Sequence, residues 1–173
     1  IAFNDGNPLL HMACFNYSVT LRQMGDLAGS IQALRTCLKA EPKFGQAHIN
    51  LGRALEDCGL IGDAVQQWRV FADATAEMTP DKLSNRLLSL QHIGRVLEGA
   101  GQLDEAEAAL WQAMELQPSR PEAAQHWISL RARQCKWPVT APSMHLTMRN
   151  FMDAMSSMTI ACYADDPLFH LAK

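Results

Sequence analysis

Four polar side chains return at one offset of a repeating pattern: Asn16, Asn50, His92 and His126. Each precedes a large apolar or aromatic residue, Tyr17, Leu51, Ile93 and Trp127, that belongs on a buried face. Three positions further along stand Val19, Arg53, Arg95 and Ser129, and one position earlier Phe15, Ile49, Gln91 and Gln125. An amide both donates and accepts, so a row of such groups can hold the main chain of an extended peptide with little regard to its sequence. The candidate peptide-binding residues are therefore Asn16, Asn50, Arg53, Gln91, His92, Arg95, Gln125 and His126. The bland alternative is that these groups bond to neighbouring helices or to water.

Other chemistry finds little support. His92 and His126 come from different units and no cysteine or carboxylate completes a tetrahedral set, so no metal is expected. Serine, histidine and aspartate occur, but nothing fixes them into a triad, and no paired-carboxylate or Cys/His constellation stands out. Gly99-Ala100-Gly101 lacks the third glycine of a nucleotide loop, having Asp104 there, and follows a helical segment, so it reads as a helix stop. No cofactor is expected.

The elements that must carry the polar row are helical hairpins. Between Ala47 and Trp68 the sequence reads as two helices separated by Gly59. Counting back 34 residues from Leu51, Gly59, Ala64 and Trp68 reaches Tyr17, Gly25, Ser30 and Leu34. Counting forward 42 reaches Ile93, Gly101, Ala106 and Leu110, and a further 34 reaches Trp127. The eight extra residues, Thr79 to Arg86, should lengthen two helices, the first running on to about Met78 and the second opening at Thr79-Pro80-Asp81.

This spacing of small and large residues resembles the tetratricopeptide repeat, with His48 in place of the opening tryptophan. The expected fold is all-α, a right-handed superhelix or α-solenoid of three full repeats, about 9–44, 45–78 and 79–120, then a half repeat over 121–137. A helical linker, 138–173, follows. In the first helix, opened by Asn7-Pro8, the stripe Leu9, Ala13, Tyr17, Leu21 and Met24 should be buried. In the second, starting near Asp26 and stopping before Pro42, the buried set should be Leu27, Ile31, Leu34 and Leu38. Past Trp137-Pro138 the period is lost. An extended stretch to Ser143, an amphipathic helix over Met144–Met155 and a short helix capped by Asp166-Pro167 are expected.

A chain of 173 residues with net charge −3 and pI about 6.1 makes no electrostatic case for nucleic acid or an anionic membrane. Five cysteines without a CxxC spacing favour reduced thiols in a cytoplasm, with Cys14 and Cys37 as small buried residues. No apolar run approaches the ~20 residues of a membrane span. Ile1 in place of a start methionine suggests a fragment of something longer.

The segment His48-Ile49-Asn50-Leu51-Gly52-Arg53 with Asp63-Ala64-Val65-Gln66-Gln67-Trp68 is similar to the bacterial, SPINDLY-like relatives of O-linked N-acetylglucosamine transferase, glycosyltransferase family 41. So are His126-Trp127-Ile128-Ser129-Leu130-Arg131, Gln134-Cys135-Lys136-Trp137-Pro138 and the stretch Ala164 to Ala172. The resemblance implies an interaction module in which repeats hold a polypeptide acceptor for a Rossmann-like domain that uses a UDP-sugar and lies outside this sequence. The family's asparagine row maps onto Asn16 and Asn50, and departs from it at His92 and His126. A second reading is an oligomerisation scaffold, a homodimer formed through array ends by Leu9, Met12 and Phe15 or by an unpartnered Trp127 helix.

Overall fold

A computed structural model describes residues 9–73, 79–156 and 159. They form eight helices: α1 Leu10–Gln23, α2 Leu27–Ala40, α3 Gly45–Asp57, α4 Ile61–Ala72, α5 Pro80–Gly99, α6 Leu103–Leu116, α7 Pro121–Arg133 and α8 Met148–Ala154. No strand occurs among the described residues, and the helix pairs are those of an α-solenoid. The chain divides into two compact units, Ile1–Ser89 and Leu90–Lys173.

The same turn closes the first helix of each hairpin. Gly25, Gly59 and Gly101 have φ of 82°, 76° and 76°, a left-handed conformation that costs glycine little. In each case the next residue's N–H reaches back to a carbonyl five positions earlier: Asp26 to Leu21, Leu60 to Leu55 and Gln102 to Leu97, all at 2.9 Å. The turn recurs 34 residues after Gly101, where Cys135 adopts φ 54° and Lys136 N–H donates to Arg131 at 3.0 Å. The fourth unit therefore ends its first helix as the others do, with a side chain where they have none.

Within the unit of residues 1–89, α2 starts as expected, the Asp26 carboxylate accepting from the Gly29 N–H at 2.8 Å. It stops at Ala40, two residues before Pro42. Ile31 and Leu34 are buried, whereas Leu27 and Leu38 are half-buried. The expected stripe of α1 is corrected. Leu10, Cys14 and Ser18 are buried, while Leu9, Tyr17 and Met24 are 65%, 38% and 77% exposed. The reason lies in the neighbours: α3 is flanked by α2 and α4 and buries two stripes, but α1 packs on α2 and buries one. Asn7-Pro8 lies outside the described residues.

The hairpin of α3 and α4 depends on a missing side chain. A Cβ on Gly52 would stand 2.1 Å from the Trp68 indole nitrogen, so only glycine admits the ring. Trp68 is fully buried and donates to the Ile49 carbonyl at 3.2 Å. His48, in the place of the opening tryptophan, is buried: Nε2–H donates to the Pro42 carbonyl at 2.9 Å and Nδ1 accepts from the Gln67 amide. Helix α4 ends at Ala72, short of the expected Met78, and residues 74–78 lie outside the described set.

Helix α5 opens at Pro80 behind Thr79, as its cap and proline predict, and runs across the division between units to Gly99. In the second unit Gly94 faces Leu110 as Gly52 faces Trp68. In the half repeat the corresponding small residue is replaced by Ile128, 2% exposed, and the residue 16 positions on, Met144, is 91% exposed. A regular second helix would have to enter where Ile128 already fills the space. Instead the chain turns aside, and α8 begins only at Met148, where Thr147 and Asn150 form a reciprocal cap. The helix expected from Met144 is shortened accordingly.

The Trp127 helix is not unpartnered. Trp127 is 2% exposed, with the ring of Phe151 from α8 at 5.8 Å and Trp111 from α6 at 5.3 Å. The Asn150 amide donates to the Pro118 carbonyl at 3.0 Å, and Val139, Leu146 and Phe151 are buried. Lys136 reaches Asp104 at 2.6 Å and Glu107 at 2.9 Å, while Arg131 pairs with Glu107 and donates to the Pro138 carbonyl at 3.1 Å. The segment from 164 to 172, including Asp166-Pro167, lies outside the described residues.

Candidate functional site

In the first unit, α1 and α3 run beside α2, and between them lies a hollow of about 590 Å³. Helix α1 contributes Ser18, Val19 and Arg22; α2 contributes Leu27, Ser30 and Leu34; α3 contributes Asn50, Arg53 and Asp57. The helical period explains the selection: residues 50, 53 and 57 on α3, and 18, 19 and 22 on α1, lie on one face of their helices.

The floor is apolar and small-chained, with Leu34 1% and Ser30 1% exposed. One wall is fixed by an ion pair, the Arg22 Nη2 standing 2.7 Å and its Nε 2.8 Å from the Asp57 carboxylate. Both side chains are about one-third exposed, 32% and 37%, so the pair contributes at most ~1 kcal/mol and acts chiefly to set the wall. Arg53 has no ion-pair partner among the described residues, so the hollow keeps a net positive charge beside the Asn50 amide. Such a lining offers one amide for a peptide main chain and one guanidinium for a carbonyl or carboxylate.

Of the residues named from the sequence, the structure brings Asn50 and Arg53 together here. Asn16, one residue before Tyr17 on α1, is exposed and is not among the lining residues. Phe15 turns instead to Phe44 at the start of α3, with ring centroids 5.1 Å apart. Sequence reasoning missed Arg22 and Asp57, 35 residues apart: pairing of residues on consecutive first helices is legible only once the repeat length is used to align opposite charges.

In the second unit Gln91, His92 and Arg95 lie on α5, and Gln125 and His126 on α7. Gln91 and His92 are half-buried, and Arg95 and Gln125 exposed. Gln125 borders a smaller hollow of about 240 Å³ with Ile128, Ser129, Ala154, Met155, Ser156 and Thr159. His126 is tied to Glu98 of α5, whose carboxylate also accepts from Arg133 of α7. Nothing in the sequence singles out Glu98; it faces His126 because residues 95 and 98 sit one turn apart on the same side of α5.

Burial, and then the positive charge of Arg95, push the His126 imidazole below its ordinary value. The Glu98 carboxylate beside it is shared with the Arg133 guanidinium. The neutral ring, donating from Nε2 to Glu98, is therefore favoured. Burial also raises Cys14, and raises Cys37 to about 11, so neither thiol is a nucleophile at neutral pH. Among the described residues no cluster of His, Cys, Asp and Glu could hold a metal, and no helix is long and apolar enough to cross a membrane.

The tetratricopeptide-repeat family model matches residues 13–44 and 88–120, the first and third hairpins. Among solved structures, a tetratricopeptide repeat protein from Parabacteroides merdae is similar with a TM-score of 0.62 and 14% identity. The match covers 94% of this chain and 57% of that one, so the chain spans little more than half the length of that relative. A double mutant of MamA from the strain RS-1 is similar with a TM-score of 0.57 and 16% identity, over 90% of this chain and 78% of that one. At these identities the likeness is one of fold. A comparison with curated proteins finds no match.

Proposed function

We propose that this chain, a tetratricopeptide-repeat protein, is a protein–protein interaction module that holds an extended polypeptide in the hollow between α1, α2 and α3. The observation that carries the reading is the convergence of Asn50 and the unpaired Arg53 over the apolar floor of Leu27 and Leu34. The amide meets the main chain, the guanidinium meets a carbonyl or an acidic group, and apolar side chains of the guest settle between Val19 and Leu34. On this reading Asn16 extends the polar edge along α1, while Gln91, His92, Arg95, Gln125 and His126 offer a second set of contacts on their own unit.

The experiment is a screen of arrayed, unstructured dodecapeptides against the chain, followed by titration of the best binder. Asn50→Ala and Arg53→Gln should each weaken it about five- to tenfold, the worth of one hydrogen bond, or one charge-assisted bond, at ~1–1.5 kcal/mol. Unchanged affinity in both variants removes the hollow from the account.

The finer reading is that residues 1–137 are the acceptor-binding array, and 138–173 the linker, of a transferase resembling the O-linked N-acetylglucosamine transferases. It is supported by the resemblance of His48–Arg53, Asp63–Trp68, His126–Arg131 and Gln134–Pro138 to that family. The coding sequence beyond Lys173 tests it: two Rossmann-like lobes support a transferase parent, and any other domain overturns it.

A further inference from the structure

The second unit carries another hollow, of about 580 Å³, along one face of α6. Its lining residues Asp104, Glu107, Ala108, Trp111, Gln112 and Glu115 lie three or four positions from a residue one turn away, so they form one stripe along the helix. Trp127 and Lys136 complete the wall. Three carboxylates face one ammonium there, and the hollow is net negative.

This surface already binds cations, those of its own chain. The Arg131 guanidinium lies over the Trp127 ring at 4.8 Å and pairs with Glu107. The Lys136 ammonium bridges Asp104 and Glu107; those carboxylates raise its pKa, and it holds Asp104 below the usual range. The Arg131 and Lys136 pairs use one end of the stripe. At the other end Trp111 is half-buried, its ring against Trp127, and Glu115, one turn further on, is exposed and has no hydrogen bond or ion pair among the described residues. Aromatic faces and carboxylates one turn apart attract a cation whose alkyl stem lies on the ring and whose charge ends on the acid. Trp127, against which the Trp111 ring lies, is itself buried, and its indole N–H lacks an acceptor among the described residues.

We propose that this face of α6 is a docking surface for a basic segment of a partner polypeptide, one lysine or arginine side chain lying along Trp111 and ending on Glu115. The inference is independent of the peptide hollow in the first unit. Charge complementarity selects the occupant: an acidic or neutral segment would meet unpaired carboxylate and an indole edge.

The probe is a fluorescein-labelled, amidated Gly-Arg hexapeptide, titrated against the full chain by fluorescence anisotropy at low ionic strength. A Gly-Glu peptide of equal length serves as comparison. Binding of the basic peptide alone is expected. Trp111→Leu should weaken it about fivefold or more, as expected for a lost cation–aromatic contact. Glu115→Gln, at an exposed site that leaves folding untouched, should weaken it about two- to fivefold and flatten its salt dependence. Asp63→Asn, which removes an acid from α4, should leave it unchanged. Loss with Asp63→Asn equal to that with Glu115→Gln, or no loss in either Trp111→Leu or Glu115→Gln, overturns the proposal.

Discussion

Replacing Gly52 by alanine tests the packing that holds α3 against α4. The added Cβ would lie 2.1 Å from Nε1, 2.3 Å from Cε2 and 2.7 Å from Cδ1 of Trp68, far inside the ~3.5–4.0 Å of ordinary carbon contact. The ring has nowhere to go, since Trp68 is fully buried and its N–H is committed to the Ile49 carbonyl. Forcing α3 and α4 apart costs about 1–3 kcal/mol as overpacking, and losing the indole hydrogen bond about 1 kcal/mol more. Against this, alanine gains about 1 kcal/mol over glycine inside a helix. The balance is a loss of roughly 1–3 kcal/mol, a large share of the 5–15 kcal/mol of a typical domain. Gly62→Ala isolates the opposing term, because nothing lies within 4 Å of its Cβ position in α4, and should stabilise by about 0.5 kcal/mol. Urea unfolding followed by helical circular dichroism reads both. Because Gly52 stands between Asn50 and Arg53, the Gly52→Ala variant should also bind peptide less tightly while still folded. A Gly52→Ala midpoint at or above that of the parent would refute the reasoning.

Cys135→Gly should stabilise the chain by about 1 kcal/mol, the cost of a left-handed conformation at a residue with a side chain, seen as a higher urea midpoint; no gain would mean that the thiol offsets the strain. Phe151→Ala should cost about 3–5 kcal/mol, because the ring is fully buried beside Trp127, and Trp fluorescence during denaturation would report the opened contact. For His126 the folded-state pKa lies below the ordinary 6.5, so the unfolded chain binds the proton more readily. The stability given by the neutral ring is present above about 6.5 and is lost as pH falls through that value. His126→Gln should flatten stability against pH below about 6.5, and an unchanged slope would contradict the assignment. Towards a thiol reagent at neutral pH, the exposed Cys58 and Cys135 should react quickly and the buried Cys14 and Cys37 only on unfolding.

Much of the architecture is written locally. Gly25, Gly59 and Gly101 announce their turns because a left-handed residue has few other occupants, and the cap at Asp26 and the opening at Thr79-Pro80 are decided by side chains within one helical turn. The 34-residue interval fixes which helix follows which, since each hairpin buries its apolar faces only against its neighbours. Even Cys135 was readable in retrospect, as the residue 34 positions beyond Gly101.

Contacts between distant residues were not written that way. Whether Tyr17 or Cys14 is covered depends on how many helices flank α1, which no property of α1 encodes. The pairing of Arg22 with Asp57, and of Glu98 with both His126 and Arg133, needs side chains from separate helices to meet. The departure of α8 from the repeat follows from the bulk of Ile128 where Gly52 and Gly94 stand in the two preceding units. Period and turn chemistry act over a few bonds and survive in the linear order, so the sequence alone determined the helices and their repetition. Which polar groups converge, and which are consumed by one another, depends on distances through space, and only the tertiary structure decided that Asn50 and Arg53 share a hollow while His126 is held by Glu98.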